Sequence, residues 1–213
     1  MTQETEGASD SIASSVEDMV AENDTGARNP SGAAGKMLVL VPLAWSFFQV
    51  YISSNVPFWL TRVLGVNVTF NSDEARATHL AFALFLAATA FPLFKLSPRR
   101  TIPWYDWVLA AAGVAVCLYM PTFKNEIALR PGLWTQTDLI ISAIGMTVLL
   151  ISTYRALGLP LVVVASVFMM YVFFGHSTSL PEVIQWKGAS FSKALGHYWM
   201  QTEGVFGVAL GVS

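Results

Sequence analysis

The chain has 213 residues, of which 54% are hydrophobic and 12% are charged, and its formal net charge is −2. Soluble domains carry about 25% charged residues, so this composition argues against an ordinary soluble domain. Cys117 is the only cysteine, which excludes an intrachain disulfide framework and a thiolate metal cluster built by this chain alone.

Residues 1–35 form an acidic leader with seven acids and one base, Arg28, a balance of −6. The leader is rich in Ser, Thr, Gly and Ala and has no aromatic residue. Such a segment buries too little apolar surface to offset its chain entropy, so we expect residues 1–35 to be disordered. It lacks the basic start and the apolar core of a signal peptide. It is either a solvated leader or a docking tail for a partner.

Five apolar runs without Lys, Arg, Asp or Glu follow the leader, at 37–61, 77–94, 107–123, 139–154 and 156–181. A bilayer core about 30 Å thick needs roughly 20 apolar residues per helix. A charge inside the hydrocarbon costs at least about 2.5 kcal/mol, and here the charges fall between the runs. The pattern predicts an all-α integral membrane protein with about five transmembrane helices.

The first two predicted spans run from about Met37 to Ser54 and from about Arg76 to Phe94. Between them, residues 57–60 have the composition of an interfacial segment. The sequence Asn71-Ser72-Asp73-Glu74 has a polar cap followed by acids, which is typical of a helix start. The second helix should therefore begin near residue 72.

The third and fourth spans each carry an acid in the predicted first turn. Asp106 follows Pro103, which suits the first position of a helix, and Asp138 follows the candidate N-cap Thr135. Acids inside a membrane are typical of ion or proton pathways. Acids in a first turn are also stabilised by the helix dipole, and we favour that interpretation for Asp106 and Asp138.

The segment from Leu139 to Gly175 would be about 55 Å long as one helix, too long for a single crossing. Gly158 and Pro160 fall near its middle, so two spans joined by a tight turn are predicted. Beyond it, Ser190 can cap a short helix with one apolar face, formed by Phe191, Leu195, Tyr198 and Trp199. This short amphipathic helix is expected to lie flat in the membrane interface.

Residues that could carry chemistry are few, and we predict no catalytic, cofactor-binding or metal site. Of the three histidines, His79 alone lies in a span and His176 and His197 follow the spans, whereas membrane haem needs two facing histidines. Glu203 is a third acid near the apolar segments, and its role stays open. The sequence has no HExxH, GxSxG or Walker pattern and no basic–aromatic surface for nucleic acid. We expect the protein not to be an enzyme.

The distribution of basic residues predicts the orientation. The two sides of the membrane would hold six bases each, but Lys95, Arg99 and Arg100 share one very short loop. Short loops carry the positive-inside signal best. The N-terminus is therefore predicted to be cytoplasmic.

Four motifs occur in order along residues 36–213: Pro103-Trp104-Tyr105-Asp106-Trp107, Arg130-x-Gly132-x-x-Thr135-x-x-Asp138, Arg155-Ala156-Leu157-Gly158-Leu159-Pro160, and Thr202-Glu203-Gly204-Val205-Phe206-Gly207-x-x-Leu210-Gly211-Val212-Ser213. Together they resemble the TRAP (tripartite ATP-independent periplasmic) transporters. The likeness is strongest to the TAXI-type fused permeases, in which a small membrane subunit precedes a large one. The chain departs from related sequences at Ile151, Tyr154 and Ala209.

The resemblance implies a membrane scaffold for a secondary transporter that is driven by a sodium or proton gradient and imports organic anions such as carboxylates. Its partners would be a large transporter region, a periplasmic substrate-binding protein and the lipid bilayer of a bacterial-type inner membrane. The chain would comprise the leader (1–35), a four-helix small-subunit-like domain (36–157) and the start of a large-subunit-like region (158–213). The family's substrate and sodium sites lie in the large region, so no binding residue is assigned here.

An alternative from another class is a free-standing membrane subunit that anchors a redox or signalling complex. A redox anchor would need paired histidines, and a Soret band in the absorbance spectrum of the purified protein would favour it over transport.

Overall fold

The structure is a computed structural model, and it describes residues 27–93, 97–177, 181–201 and 203–210. The described residues form helices and loops without strands, which confirms the all-α prediction. Most of the leader (1–26), the end of the predicted second span at Phe94, Thr202 and the last three residues of the fourth motif lie outside the described residues.

The described part of the chain contains eight α-helices and three shorter helical turns. The α-helices are α1 (Gly32–Ser53), α2 (Val56–Leu64), α3 (Ser72–Ala90), α4 (Trp104–Thr122), α5 (Lys124–Ala128), α6 (Gln136–Leu157), α7 (Leu159–Phe174) and α8 (Phe191–Leu195). The shorter turns are a 3₁₀ turn at Glu182–Ile184 and π turns at Gly196–Met200 and Val205–Ala209.

Local signals set the ends of several helices where the sequence predicted them. Asn71 caps α3 and Thr135 caps α6, each in a reciprocal capping box with the acid three residues later. The Ser190 side chain accepts from the Lys193 amide at the start of α8. Gly158 separates α6 from α7 with a φ of +83°, a conformation that glycine adopts without a steric penalty. The predicted break between the fourth and fifth apolar runs is thereby confirmed.

The described structure begins at residue 27, within the last part of the predicted leader. Helix α1 already begins at Gly32, and the Arg28 side chain is buried with a partner on α4. The composition of residues 1–35 did not reveal that Arg28 is buried, because seven acids dominate the segment and Arg28 is its only base.

Helix α3 lies at the centre of the bundle and packs against α1, α4 and α6. It presents small side chains to its neighbours, and Gly113 of α4 lets the two backbones approach closely. A Cβ atom at Gly113 would lie 3.1 Å from Cβ of Leu84. Small residues at helix contacts are typical of membrane bundles, where close packing replaces the hydrophobic effect between helices.

Three helices, α1, α4 and α6, are long and apolar enough to cross a membrane by length and composition. Helices α1 and α7 contain no buried residue along their described lengths. Large apolar side chains such as Phe47 on α1 and Phe168 on α7 are about two-thirds exposed. Extended apolar surfaces of this kind suit contact with lipid or another protein, so the chain has the features of a membrane protein.

The apolar face predicted for the short amphipathic helix points into the bundle. Leu195 is 4% exposed and Trp199 is fully buried, because this apolar face packs into the bundle. The helical pattern also ends early, since a π turn replaces the α-helix from Gly196 onward. Of the predicted face, Phe191 remains largely exposed.

Candidate functional site: two buried arginine–aspartate clusters

The buried charges of the described residues form two clusters at opposite ends of α4. We name them the Asp106 cluster (Arg28, Asp106, Arg155) and the Asp138 cluster (Tyr119, Arg130, Thr135, Asp138). Asp106 lies in the first turn of α4 and Tyr119 near its last turn. Tyr119 comes thirteen positions after Asp106, which corresponds to about 20 Å along the helix axis.

In the Asp106 cluster one buried carboxylate contacts two guanidinium groups. Arg155 Nη2 donates a hydrogen bond to Asp106 Oδ1 over 2.6 Å, and the two side chains are 2% and 0% exposed. Arg28 Nη2 lies 2.6 Å from Asp106 Oδ2, and both of these side chains are fully buried. The cluster therefore contains two positive charges and one negative charge away from solvent.

Backbone carbonyl groups supply the remaining negative partners. Arg155 Nη1 donates to Ala88 O at 2.9 Å and Phe91 O at 3.3 Å, while Arg28 Nη1 donates to Thr89 O at 3.3 Å. These carbonyls lie at the C-terminal end of α3, where the last turn has no intrahelical donors and the helix dipole is negative. The two arginines thus cap α3 while they hold the start of α4 and the end of α6.

In the Asp138 cluster both carboxylate oxygens accept directed hydrogen bonds. Oδ2 accepts from Arg130 Nη1 at 2.7 Å and from the Thr135 amide at 2.8 Å. Oδ1 accepts from the Tyr119 hydroxyl at 2.9 Å. The Asp138 side chain is fully buried, and Arg130 is 24% exposed. The three donors therefore satisfy the hydrogen-bonding capacity of the buried carboxylate without solvent. The cluster ties the end of α4 to the start of α6.

A more exposed ion pair lies at the same end of the bundle. Lys124 Nζ donates a hydrogen bond to the Glu74 carboxylate. Glu74 belongs to the polar first turn of α3, ahead of the apolar run 77–94. Exposed pairs of this kind contribute between about 0 and 1 kcal/mol, so the pair adds less to the fold than the buried clusters.

A third feature is the slot in which Trp199 is buried between α4 and α6. Its Nε1 donates to Val116 O at 3.2 Å. A Cβ atom at Gly145 would lie within 3.0 Å of the Trp199 ring, closer than real Cβ contacts. The Phe206 ring packs against Trp199 with centroids 5.1 Å apart, and Arg76 Nη1 donates to Phe206 O at 3.3 Å. Trp199 and Phe206 thus anchor the residues around them to the bundle.

The described histidines and acids do not converge on a metal site. His79 Nδ1 accepts from Trp45 Nε1 at 3.2 Å, whereas His197 pairs with Gln201 at 2.8 Å. No group of three or more His, Cys, Asp or Glu side chains with metal-binding geometry occurs among the residues that the structure describes. Glu203 is exposed and lines an open cavity of about 430 Å³ beside Lys124.

Sequence reasoning located both acids correctly but missed their partners. Asp106 and Asp138 lie in the first turns of α4 and α6, as predicted. The partners Arg155 and Arg130 belong to the same motif series, and that co-occurrence was the available signal. Nothing in the sequence indicated a role for Arg28, because it belongs to none of the four motifs and lies in the acidic leader.

No protein-family model, curated protein or solved structure matches the chain.

Proposed function

We propose that this chain is the membrane scaffold portion of a TRAP-type secondary transporter that is driven by an ion gradient and imports organic anions such as carboxylates. One observation carries the proposal: the charged residues of the motif series pair with one another inside the bundle. Asp106 of the first motif pairs with Arg155 of the third, and Arg130 pairs with Asp138 within the second. These charges join helix ends, which is the role expected of a rigid scaffold.

In the proposed arrangement, five helices cross the inner membrane: α1, α3, α4, α6 and α7. Helix α3 is 19 residues long, about 28 Å, and α7 is 16 residues long, about 24 Å. With a cytoplasmic N-terminus, the Asp106 cluster lies at the cytoplasmic end and the Asp138 cluster at the periplasmic end. Helix α2 then lies along the periplasmic surface.

Cysteine labelling in intact cells tests this orientation. The Cys117 thiol is buried, and Cys117→Ala removes it from the background. Thr101→Cys in the α3–α4 loop should stay unlabelled by an impermeant thiol reagent, whereas Asn125→Cys in α5 should react. Both positions are exposed in the structure, so a difference reports the side of the membrane. Labelling of residue 101 with protection of residue 125 would reverse the assignment.

Reconstitution tests the transport role. Proteoliposomes that contain this polypeptide alone should take up none of a panel of radiolabelled carboxylates under a sodium or proton gradient. Addition of the large transporter subunit and the periplasmic binding protein from the same genome should establish uptake. Uptake by the chain alone, or its failure to associate with a large subunit, would contradict the scaffold assignment.

A further inference from the structure

We propose that residues 27–31 form a releasable N-terminal clasp, in which Arg28 is a removable second cation on the Asp106–Arg155 pair. This inference concerns the conformational behaviour of the bundle and is independent of the transport proposal. The clasp lies across the end of the bundle formed by α3, α4 and α6. When it is closed, it joins the acidic leader to that end.

The closed clasp is built from contacts of both backbone and side chain. The Arg28 amide donates to Ala90 O at 2.7 Å, and the Asn29 amide donates to Arg99 O at 3.0 Å. Arg28 Nε donates to Pro98 O at 3.1 Å, so the same residue contacts the end of α3 and the following loop. The segment therefore follows the α3–α4 connection and inserts one side chain beneath it.

The two arginines are attached to Asp106 unequally. Arg155 Nη2 donates a directed hydrogen bond to Oδ1. Arg28 Nη2 and Asp106 Oδ2 are close enough for an ion pair, yet neither atom has a hydrogen bond of acceptable geometry among the described residues. Directed charge-assisted hydrogen bonds are the stronger kind, so Arg155 is the better-held partner of Asp106. Arg155 Nε itself has no hydrogen bond of acceptable geometry within the described part of the chain.

The charge balance favours release of Arg28 in particular. With Arg28 withdrawn, Asp106 and Arg155 remain as a one-to-one pair, while the Thr89 and Pro98 carbonyls lose the Arg28 side chain as a donor. Removal of Arg155 instead would leave Asp106 paired only to a segment outside the helices, and it would free the Ala88 and Phe91 carbonyls. Breaking a buried pair by removing one partner is strongly destabilising. The clasp can thus open by local unfolding while the helices stay packed.

Limited proteolysis of the full chain in detergent micelles tests local opening. Trypsin must take an arginine side chain into its specificity pocket, so the buried Arg28 is cleavable only when the clasp is open. Cleavage after the exposed Arg100 gives the rate for an accessible site, and cleavage after the buried Arg155 gives the rate of global unfolding. We expect cleavage after Arg28 to be at least about tenfold slower than after Arg100, yet faster than after Arg155. A rate equal to either reference would overturn the proposal.

Two variants test which arginine is removable. Arg28→Ala should remain monodisperse and shift the thermal midpoint much less than Arg155→Ala does. In the Arg28→Ala protein, an Ala27→Arg substitution provides a replacement trypsin site that is not followed by proline, and cleavage there should approach the Arg100 rate. An equal or larger loss of stability for Arg28→Ala than for Arg155→Ala would show that Arg28 is a fixed part of the bundle and would refute the clasp.

Discussion

Replacement of Asp106 with asparagine should lower the free energy of unfolding by about 3–5 kcal/mol. The substitution preserves the shape of the side chain but removes the one negative side-chain charge that faces Arg28 and Arg155 in the Asp106 cluster. Both guanidinium groups would then be buried with backbone carbonyls as their remaining partners. Reversible unfolding in mixed micelles, followed by the helical circular dichroism signal, measures the loss.

Asp73→Asn is the matched control for this experiment. Asp73 also lies in the first turn of a helix and pairs with an arginine, Arg76, but its ion-pair distance is 3.9 Å and its side chain is 43% exposed. We expect a change below about 1 kcal/mol. Equal effects of the two substitutions would show that the buried cluster is no more important than a surface pair.

Replacement of Trp199 with alanine should cost about 3–5 kcal/mol, because it empties a fully buried site between α4 and α6. It also leaves the Val116 carbonyl without the indole hydrogen bond. Trp104→Ala is the control, since Trp104 is 77% exposed, and it should cost less than about 1 kcal/mol. If Trp199→Ala proves as mild as Trp104→Ala, the Trp199 side chain does not anchor the residues around it to α4 and α6 as described.

The contact between Gly145 and the Trp199 ring can also be tested by a substitution at Gly145. Gly145→Ala adds a methyl group against the Trp199 ring, and overpacking of this kind costs about 1–3 kcal/mol. In the Trp199→Ala background the clash partner is gone, so the same substitution should cost little or even stabilise α6. A non-additive double-mutant cycle is therefore expected. If the effects of Gly145→Ala and Trp199→Ala on the free energy of unfolding are additive, the two residues are not in contact.

The features that could be predicted from the sequence are those that depend on residues close together along the chain. The caps at Asn71 and Thr135 and the break at Gly158 each depend on interactions within a few residues, so the sequence contains their full cause. The arginine partners of Asp106 are 49 and 78 residues away along the chain, because Arg155 and Arg28 reach it only through helix packing. No local pattern encodes those distances.

The burial of Leu195 and Trp199 against the bundle could not be predicted for a different reason. Apolar periodicity shows that Leu195 and Trp199 share one face, but it does not distinguish a lipid interface from a protein core. The decisive feature was Gly145 on α6, which leaves room for an indole. A glycine within a long apolar helix and a tryptophan 54 residues later become connected only once the helices are packed.

Helix α4 fixes the distance and the rotation between the Asp106 cluster and the Asp138 cluster. Insertion or deletion of one residue between Asp106 and Tyr119 would rotate one contact by about 100° relative to the other and shift it by about 1.5 Å. Both clusters could not then form on the same pair of helices. Side chains on the outer face of α4 are free to vary in this respect, because they contact neither cluster. The number of residues between the two contacts, more than their identity, is therefore what the architecture constrains.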